Sequence, residues 1–248
     1  MAREIFDEVL ETFENEDIKE FANKCLDTIP DYIYEVPASS TLRYHPAYAC
    51  ETPLGLAKHT VALCRFLNHM FEVESIGCQF NSRERDLLRI AGMMHDTRKS
   101  GTQEDYEKSH YTKFNHPLQA AEVIRGLDGL PAEEIEFIAH AIESHMGAFN
   151  TDKRYPNTVL PKPEDKYQII LHLADYLASR KEIEMRFDIT PERRDKPKEK
   201  PTLEGWVIPF GKHKGQTLLE VNALDPGYIS WAKKNLTSEP MATLIKEL

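Results

Sequence analysis

The chain has 248 residues, 41% of them hydrophobic, and a formal net charge of −10. That length allows one large domain or a medium domain with a small one, and the acidity argues against a broadly basic, non-specific nucleic-acid binder while leaving room for a site that grips phosphate through metal and a few cations. No apolar leader opens the sequence, no apolar run is long enough to span a bilayer, and Cys25, Cys50, Cys64 and Cys78 form no CxxC pair, so the expectation is a cytoplasmic protein with reduced thiols and no membrane partner.

Ile5, Phe6, Val9, Leu10 and Phe13 recur at helical spacing, as do Ile18, Phe21, Ala22, Cys25, Leu26 and Ile29, which predicts one or two helices ending near Pro30. Residues 31–53 hold Pro37, Pro46 and Pro53 and read as an ordered loop. A helix is predicted from Leu54 to Glu72. Another begins with Ser82 as N-cap and carries an apolar run into His95-Asp96-Thr97-Arg98-Lys99. Residues 100–115 are polar and read as loop. Pro117 suits the first turn of a helix to about Gly126, and Pro131 with Glu133 and Glu134 opens the next, through Ile142. Residues 147–163 read as a long loop, followed by a helix from about Glu164 to Phe187. The stretch 190–202 has three prolines and no large apolar residue, the composition of a linker. Beyond it, Trp206–Phe210 is strand-like, Gly211–Gly215 a turn and Pro226–Leu248 a helical tail. The reading is a mainly α chain: a helical domain at 1–189, a linker at 190–202, and a small α+β module at 203–248.

Nine of the ten histidines lie between His45 and His172. His59, His95, Asp96, His116, His140, His145 and Asp175 fall at predicted helix ends or on apolar helix faces. Taken singly, a helical histidine is usually a surface or hydrogen-bonded residue, and a carboxylate in an apolar setting such as Asp175 is usually in a salt bridge. His69 and His110 lack such settings and read as surface residues. Imidazole and carboxylate are also ligands for divalent metals, and a bound metal generates hydroxide near neutral pH. Such an ion would compensate an ionisable pair at the end of a buried helix.

The order of these residues resembles the HD phosphohydrolase superfamily, an all-helical fold that binds one or two divalent metals. His95-Asp96-Thr97-Arg98-Lys99 matches its HD-x-x-K form, with Arg98 where glycine is frequent. Pro37-Ala38-Ser39, Tyr44-His45-Pro46-Ala47-Tyr48 and Gly55-Leu56-Ala57-Lys58-His59-Thr60 resemble the opening segments of the bacterial YhaM-type 3′–5′ exoribonucleases. His140-Ala141-Ile142-Glu143-Ser144-His145-Met146-Gly147 is similar to their HxIxSHHG, and Leu171-His172-Leu173-Ala174-Asp175 to their LHxxD. Met146 stands where a second histidine is usual, and Cys50–Pro53 interrupts the opening segment. The resemblance implies that His59, His95, Asp96 and Asp175 hold one metal and that Asp96 bridges to a second held by His116 and His145. His140 is either a further ligand or a support for one. Lys99 would sit by the scissile phosphate, with Asp96 and Lys99 as the catalytic pair. His45 and Arg98 are either further phosphate contacts or solvated surface residues. Mixed nitrogen and oxygen ligands favour manganese, with iron, nickel, cobalt or magnesium also compatible. The superfamily also holds a di-iron oxygenase branch, against which Lys99 weighs.

Ile208-Pro209-Phe210-Gly211-Lys212-His213-Lys214-Gly215-Gln216-Thr217-Leu218, followed by Asp225-Pro226-Gly227-Tyr228-Ile229-Ser230-Trp231, resembles the C-terminal module of the exonuclease X type. Across 191–214 there are seven Lys or Arg against four Asp or Glu. Lys212, His213 and Lys214 would present charge to a nucleic-acid phosphate, or the stretch is a solvated turn over a mini-core of Trp206, Phe210, Tyr228 and Trp231. Three functions compete. One is a metal-dependent 3′–5′ exonuclease on RNA or single-stranded DNA, which the C-terminal module favours. Another is a phosphohydrolase of small nucleotides (a dNTP or nucleoside monophosphate), which the acidity favours. The last is a non-catalytic binding protein, disfavoured because every position of the motif carries a competent ligand. A homo-oligomer is compatible with each.

Overall fold

A computed structural model describes residues 3–39, 41, 45–152, 159–187, 202, 205–208, 211–235 and 244–248. The chain divides into two units, Met1–Pro191 and Glu192–Leu248.

In the first unit the predicted apolar positions become a single core. Ile5, Phe6 and Val9 enter it from a 3-10 turn, Arg3–Phe6, and the short helix α1, Asp7–Leu10; Ile18, Phe21, Cys25 and Leu26 enter it from α2, Glu16–Leu26. The segment expected to be an ordered loop contains a 3-10 turn at Asp31–Tyr34 and a one-turn helix, α3, Ala47–Cys50. It lies close against α4, Gly55–Glu72, because Gly55 has no side chain: a Cβ there would stand 2.7 Å from the Ala49 carbonyl oxygen and 2.8 Å from Pro37 Cα. After α5, Glu74–Gly77, comes α6, Ser82–Met94. Its cap is Asn81 rather than Ser82. Asn81 accepts from the Glu84 N–H and Glu84 accepts from the Asn81 N–H, each at 2.9 Å, which satisfies two free donors at the helix start.

Asp86 on α6 is fully buried. It accepts from the backbone N–H groups of Glu14 and Asn15 and pairs with Arg89 at 2.5 Å, fastening the N-terminal segment to α6. Helix α7, Gln103–Lys108, replaces part of the loop expected at 100–115. It buries no residue, so it has no apolar periodicity to betray it; a capping box between Thr102 and Asp105 starts it. Helices α8, His116–Arg125, and α9, Ala132–Ser144, lie where Pro117 and Pro131 place them. Helix α10, Lys166–Ala178, stops nine residues short of the expected Phe187. Ser179, Arg180, Lys181 and Glu182 offer no apolar side chain to continue a buried face, and the chain proceeds without regular structure while Met185 and Phe187 still reach the core. Helix α6 packs on α2, α4 and α9, and α10 packs on α4 and α9. No helix among the described residues is long and apolar enough to cross a membrane.

The second unit has its own small core of Ile208, Leu218, Val221, Ile229, Ala232, Leu244 and Ile245, against which Trp206 and Tyr228 pack. Helix α11, Leu218–Leu224, was not expected; helix α12, Pro226–Asn235, begins the predicted tail, and Ile245–Glu247 form a 3-10 turn. Of the strand-like run, Val207 makes one antiparallel bridge to Thr217, so among the described residues the module is helical apart from that bridge. Phe210 and the linker at 190–201 lie outside the described residues.

Candidate metal centre

Helix ends deliver most of the cluster. His95 is the C-cap of α6 and Asp96 follows it; His116 is the first residue of α8; His145 is the C-cap of α9. His59 and Asp175 come from within α4 and α10. All except Asp175 are buried, and Asp175 is mostly so.

The two oxygens of Asp96 face different groups. Oδ2 lies 3.5 Å from His95 Nε2 and 3.9 Å from His59 Nε2, while Asp175 Oδ1 is 3.1 Å from His59 Nε2 and 3.8 Å from His95 Nε2. Oδ1 lies 2.9 Å from His116 Nε2 and 3.8 Å from His145 Nε2. Two ligand atoms that share an ion at ~2.1 Å stand roughly 3–3.5 Å apart, and these separations fall around that range.

The imidazoles are oriented for ligation. His95 Nδ1 lies 2.8 Å from the Gly92 carbonyl, His116 Nδ1 2.7 Å from that of Lys113, and His145 Nδ1 2.7 Å from that of Ile142. In each case the partner is three residues upstream. An Nδ1–H that donates there leaves Nε2 as the acceptor of a neutral ring. The buried Nε2 atoms of His95 and His116 have no hydrogen-bond partner among the described residues. For His116 this holds even at 2.9 Å from the carboxylate, because two acceptors face each other. A divalent cation between them satisfies both, so these residues fit a metal. Burial, reinforced by neighbouring imidazoles, pushes His145 down to about 3, and burial likewise lowers His95. Burial alone would raise Asp96, but Lys99, with Nζ 2.5 Å from Oδ2, and the surrounding histidines outweigh it and hold the carboxyl well below its ordinary range. For Asp175 burial is likewise outweighed, here by His59 and His95, and the carboxyl is lowered.

Three expected residues lie elsewhere or act otherwise. His140 is on the exposed side of α9 and pairs with Glu136 at 3.5 Å. Five residues of helix turn it about 140° from His145, so it is not brought to the cluster. Arg98 points away too: it donates to the Thr28 carbonyl at 3.1 Å, just past the end of α2, and to that of Thr97. His213, expected to present charge, is buried; its Nδ1 lies 2.8 Å from Gln216 Oε1 and its Nε2 3.3 Å from Asp225 Oδ2. Lys212 and Lys214 are exposed, with Lys212 paired to Asp225 at 2.8 Å. Gly211 and Gly215, at φ +81° and +88°, make the turn that carries them.

The cluster lies at a cavity of about 460 Å³ whose wall also includes His45, Lys99, Phe149, His172, Tyr176 and Arg180. His45 packs edge-on to His59 at 5.2 Å. His172 was quoted within a motif but given no role; its Nδ1 lies 2.7 Å from the His145 carbonyl, bracing the turn that carries that ligand. Gly147 makes the approach feasible, since it has φ +54° and a Cβ there would stand 2.2 Å from the His172 ring. Phe149 is 73% exposed, and Arg180 stacks 4.1 Å over the Tyr176 ring. Nothing in their spacing marked these wall residues.

Residues 66–180 match the family model of the HD domain. This part of the chain is an HD domain. HD domains are metal-dependent phosphohydrolases, so the protein is an enzyme of that class. The HD match spans His95, Asp96, His116, His145 and Asp175, while His59 lies before it. Residues 208–237 match the exodeoxyribonuclease X-like C-terminal family model. No curated protein and no solved structure matches the chain.

Proposed function

We propose that the chain is a metal-dependent phosphodiesterase, a 3′–5′ exonuclease on RNA or single-stranded DNA, whose site is the cavity at the HD cluster. The observation that carries this reading is the parting of the Asp96 oxygens between two groups of inward-facing ligand atoms. His59, His95, Asp96 Oδ2 and Asp175 would hold one ion, and Asp96 Oδ1, His116 and His145 a second. Manganese suits this ligand set better than magnesium. Such ions supply a water-derived hydroxide near neutral pH and neutralise charge on the phosphate.

The chain's own residues do the rest. Asp96 and Asp175 stay ionised and the imidazoles of His95 and His145 stay neutral, so these four ligands carry no competing protons. Lys99 fixes Asp96 and lines the cavity, where its ammonium offers charge to a phosphate oxygen in the transition state. The rings of Phe149 and Tyr176 offer apolar faces to a base, and Arg180 offers a cation to a neighbouring phosphate. His45 would close the side of the cavity next to His59. In the C-terminal module Lys214 and, with part of its charge spent on Asp225, Lys212 would guide the strand.

A screen of oligonucleotides and free nucleotides with Mn²⁺, run beside Asp96→Ala, tests this. Hydrolysis of oligonucleotides that disappears in the variant supports the proposal, and activity that survives Asp96→Ala sinks the metal mechanism. The net charge of −10 favours a second reading, a phosphohydrolase of small nucleotides. Under the nuclease reading, Lys214→Ala lowers the salt dependence of oligonucleotide binding by a log–log slope of about 0.7–1; an unchanged slope with hydrolysis of free nucleotides alone favours the second.

A further inference from the structure

A second cavity, of about 290 Å³, shares Lys99 with the first and no other lining residue. Its wall includes Pro37, Ser100, Tyr106, His110 and Thr112. Its size is at the low end for a ligand pocket, roughly 300 Å³ and upward, and suits one nucleoside rather than a longer segment.

The wall is firmly built. The buried hydroxyl of Tyr32 accepts from the Ser100 N–H at 3.1 Å and donates to the Gly101 carbonyl at 2.9 Å. Its ring stacks on Tyr106 at 4.6 Å, and Tyr106 stacks on His110 at 4.4 Å with the planes 15° apart. The Lys113 N–H donates to the Lys99 carbonyl at 2.7 Å, tying the following loop to the same lysine. The result is a column of three rings, fixed at its buried end by Tyr32 and ending in an exposed His110. Such a column accepts one more ring, and a nucleobase stacks on it whatever its sequence.

A phosphate monoester has one organic arm and needs one cavity. A phosphodiester has two, one on each side of the phosphorus. We infer that the cavity bounded by Lys99 and the Tyr106–His110 stack is a second nucleotide subsite, and that the substrate is a phosphodiester with its phosphate at Lys99 and a nucleoside in each cavity. This inference rests on the phosphodiesterase reading above. In the reaction hydroxide forms a new P–O bond, the bond to one nucleoside oxygen breaks, and that oxygen takes up a proton, giving one monophosphate and one alcohol from diester and water.

The test uses the full-length protein with Mn²⁺ and two diesters. A dinucleoside monophosphate fills both cavities; methyl p-nitrophenyl phosphate has one ring and can use the larger cavity alone. The readout is the ratio of kcat/KM for the first to that for the second, in the wild type and in His110→Ala and Thr112→Trp. Both positions are exposed, and the ratio cancels any loss of folded protein. The inference expects the ratio to fall by about fivefold or more in both variants, the low end of one base stack. A smaller change in either, with the wild type active, overturns the second subsite and leaves the phosphodiesterase reading standing. A wild type that cleaves neither diester overturns that reading and the subsite with it.

Discussion

Two regions of the molecule gather the same residue types to opposite ends. In the HD domain His95, His116 and His145 surround Asp96 with Lys99 at its side; in the C-terminal module His213 and Lys212 both reach Asp225. In the module this group closes on itself among the described residues. His213 is met on both ring nitrogens, and Asp225 also accepts the Tyr228 N–H at 3.1 Å, capping α12. The two halves of the Gly211–Gly215 and Asp225–Trp231 motif are joined through this one carboxylate. In the HD domain His95, His116 and His145 are each met at Nδ1 by a backbone carbonyl, and the buried Nε2 atoms of His95 and His116 face a carboxylate that cannot donate to them. A cluster built for structure closes its own valences, whereas a cluster built to receive a cation leaves them open. Asp86 makes the same point on the same helix as His95: buried like Asp96, it is met by backbone N–H groups and Arg89.

The largest break in this comparison is Asp96→Asn. The shape is kept and the charge between the ligand groups is removed, so hydrolysis should fall by about 10³-fold, with metal content by elemental analysis falling alongside. Gly147→Ala should follow. Its methyl has no room beside His172, the turn behind His145 shifts, and activity or metal affinity should drop ~10–100-fold, the cost of disturbing a ligand's support; metal titration and kinetics would read it. A milder effect is expected from acid on chelated protein. His45 and His145 have an ordinary value of 6.5 and are depressed to about 3 in the fold by burial and by neighbouring charge, from His59 and Lys99 for His45 and from His95 and His116 for His145. Between those values the unfolded chain binds more protons, so stability is whole above pH 6.5 and drains away toward pH 3. Melting temperature against pH should show this slope, and His145→Gln should flatten it. The smallest effect belongs to Asp225→Asn. Amide exchange should quicken around Lys212–Tyr228 while metal content stays at the wild-type value, because this carboxylate joins Lys212, His213 and Tyr228 of its own module.

Much of this was legible before any coordinates. Helix-end or apolar-face settings made His59, His95, Asp96, His116, His140, His145 and Asp175 candidates, and the resemblance to the HD superfamily implied how they group; all but His140 do lie together. His140 was not separable from them by residue type, and Arg98 was open between a phosphate contact and a solvated surface residue. What removed them was direction, the turn of α9 in one case and an open carbonyl beyond α2 in the other. Helix α7 escaped because its support is a capping box rather than an apolar stripe, although Thr102 and Asp105 stood at the right spacing for that box. The cavity walls were beyond reach for another reason: Phe149, Tyr176 and Arg180, like Tyr106 and His110, belong together only through long-range packing. His110 read as surface and is exposed, yet it ends a column of rings.

The depressed imidazoles and carboxylates have a thermochemical consequence. Metal uptake by histidine and carboxylate sites ordinarily expels protons, because ligands must first lose them. Here His95, His145, Asp96 and Asp175 have already lost theirs in the folded chain. Protons released on Mn²⁺ titration near neutral pH, read from the heat in buffers of different ionisation enthalpy, should therefore not come from these four ligands.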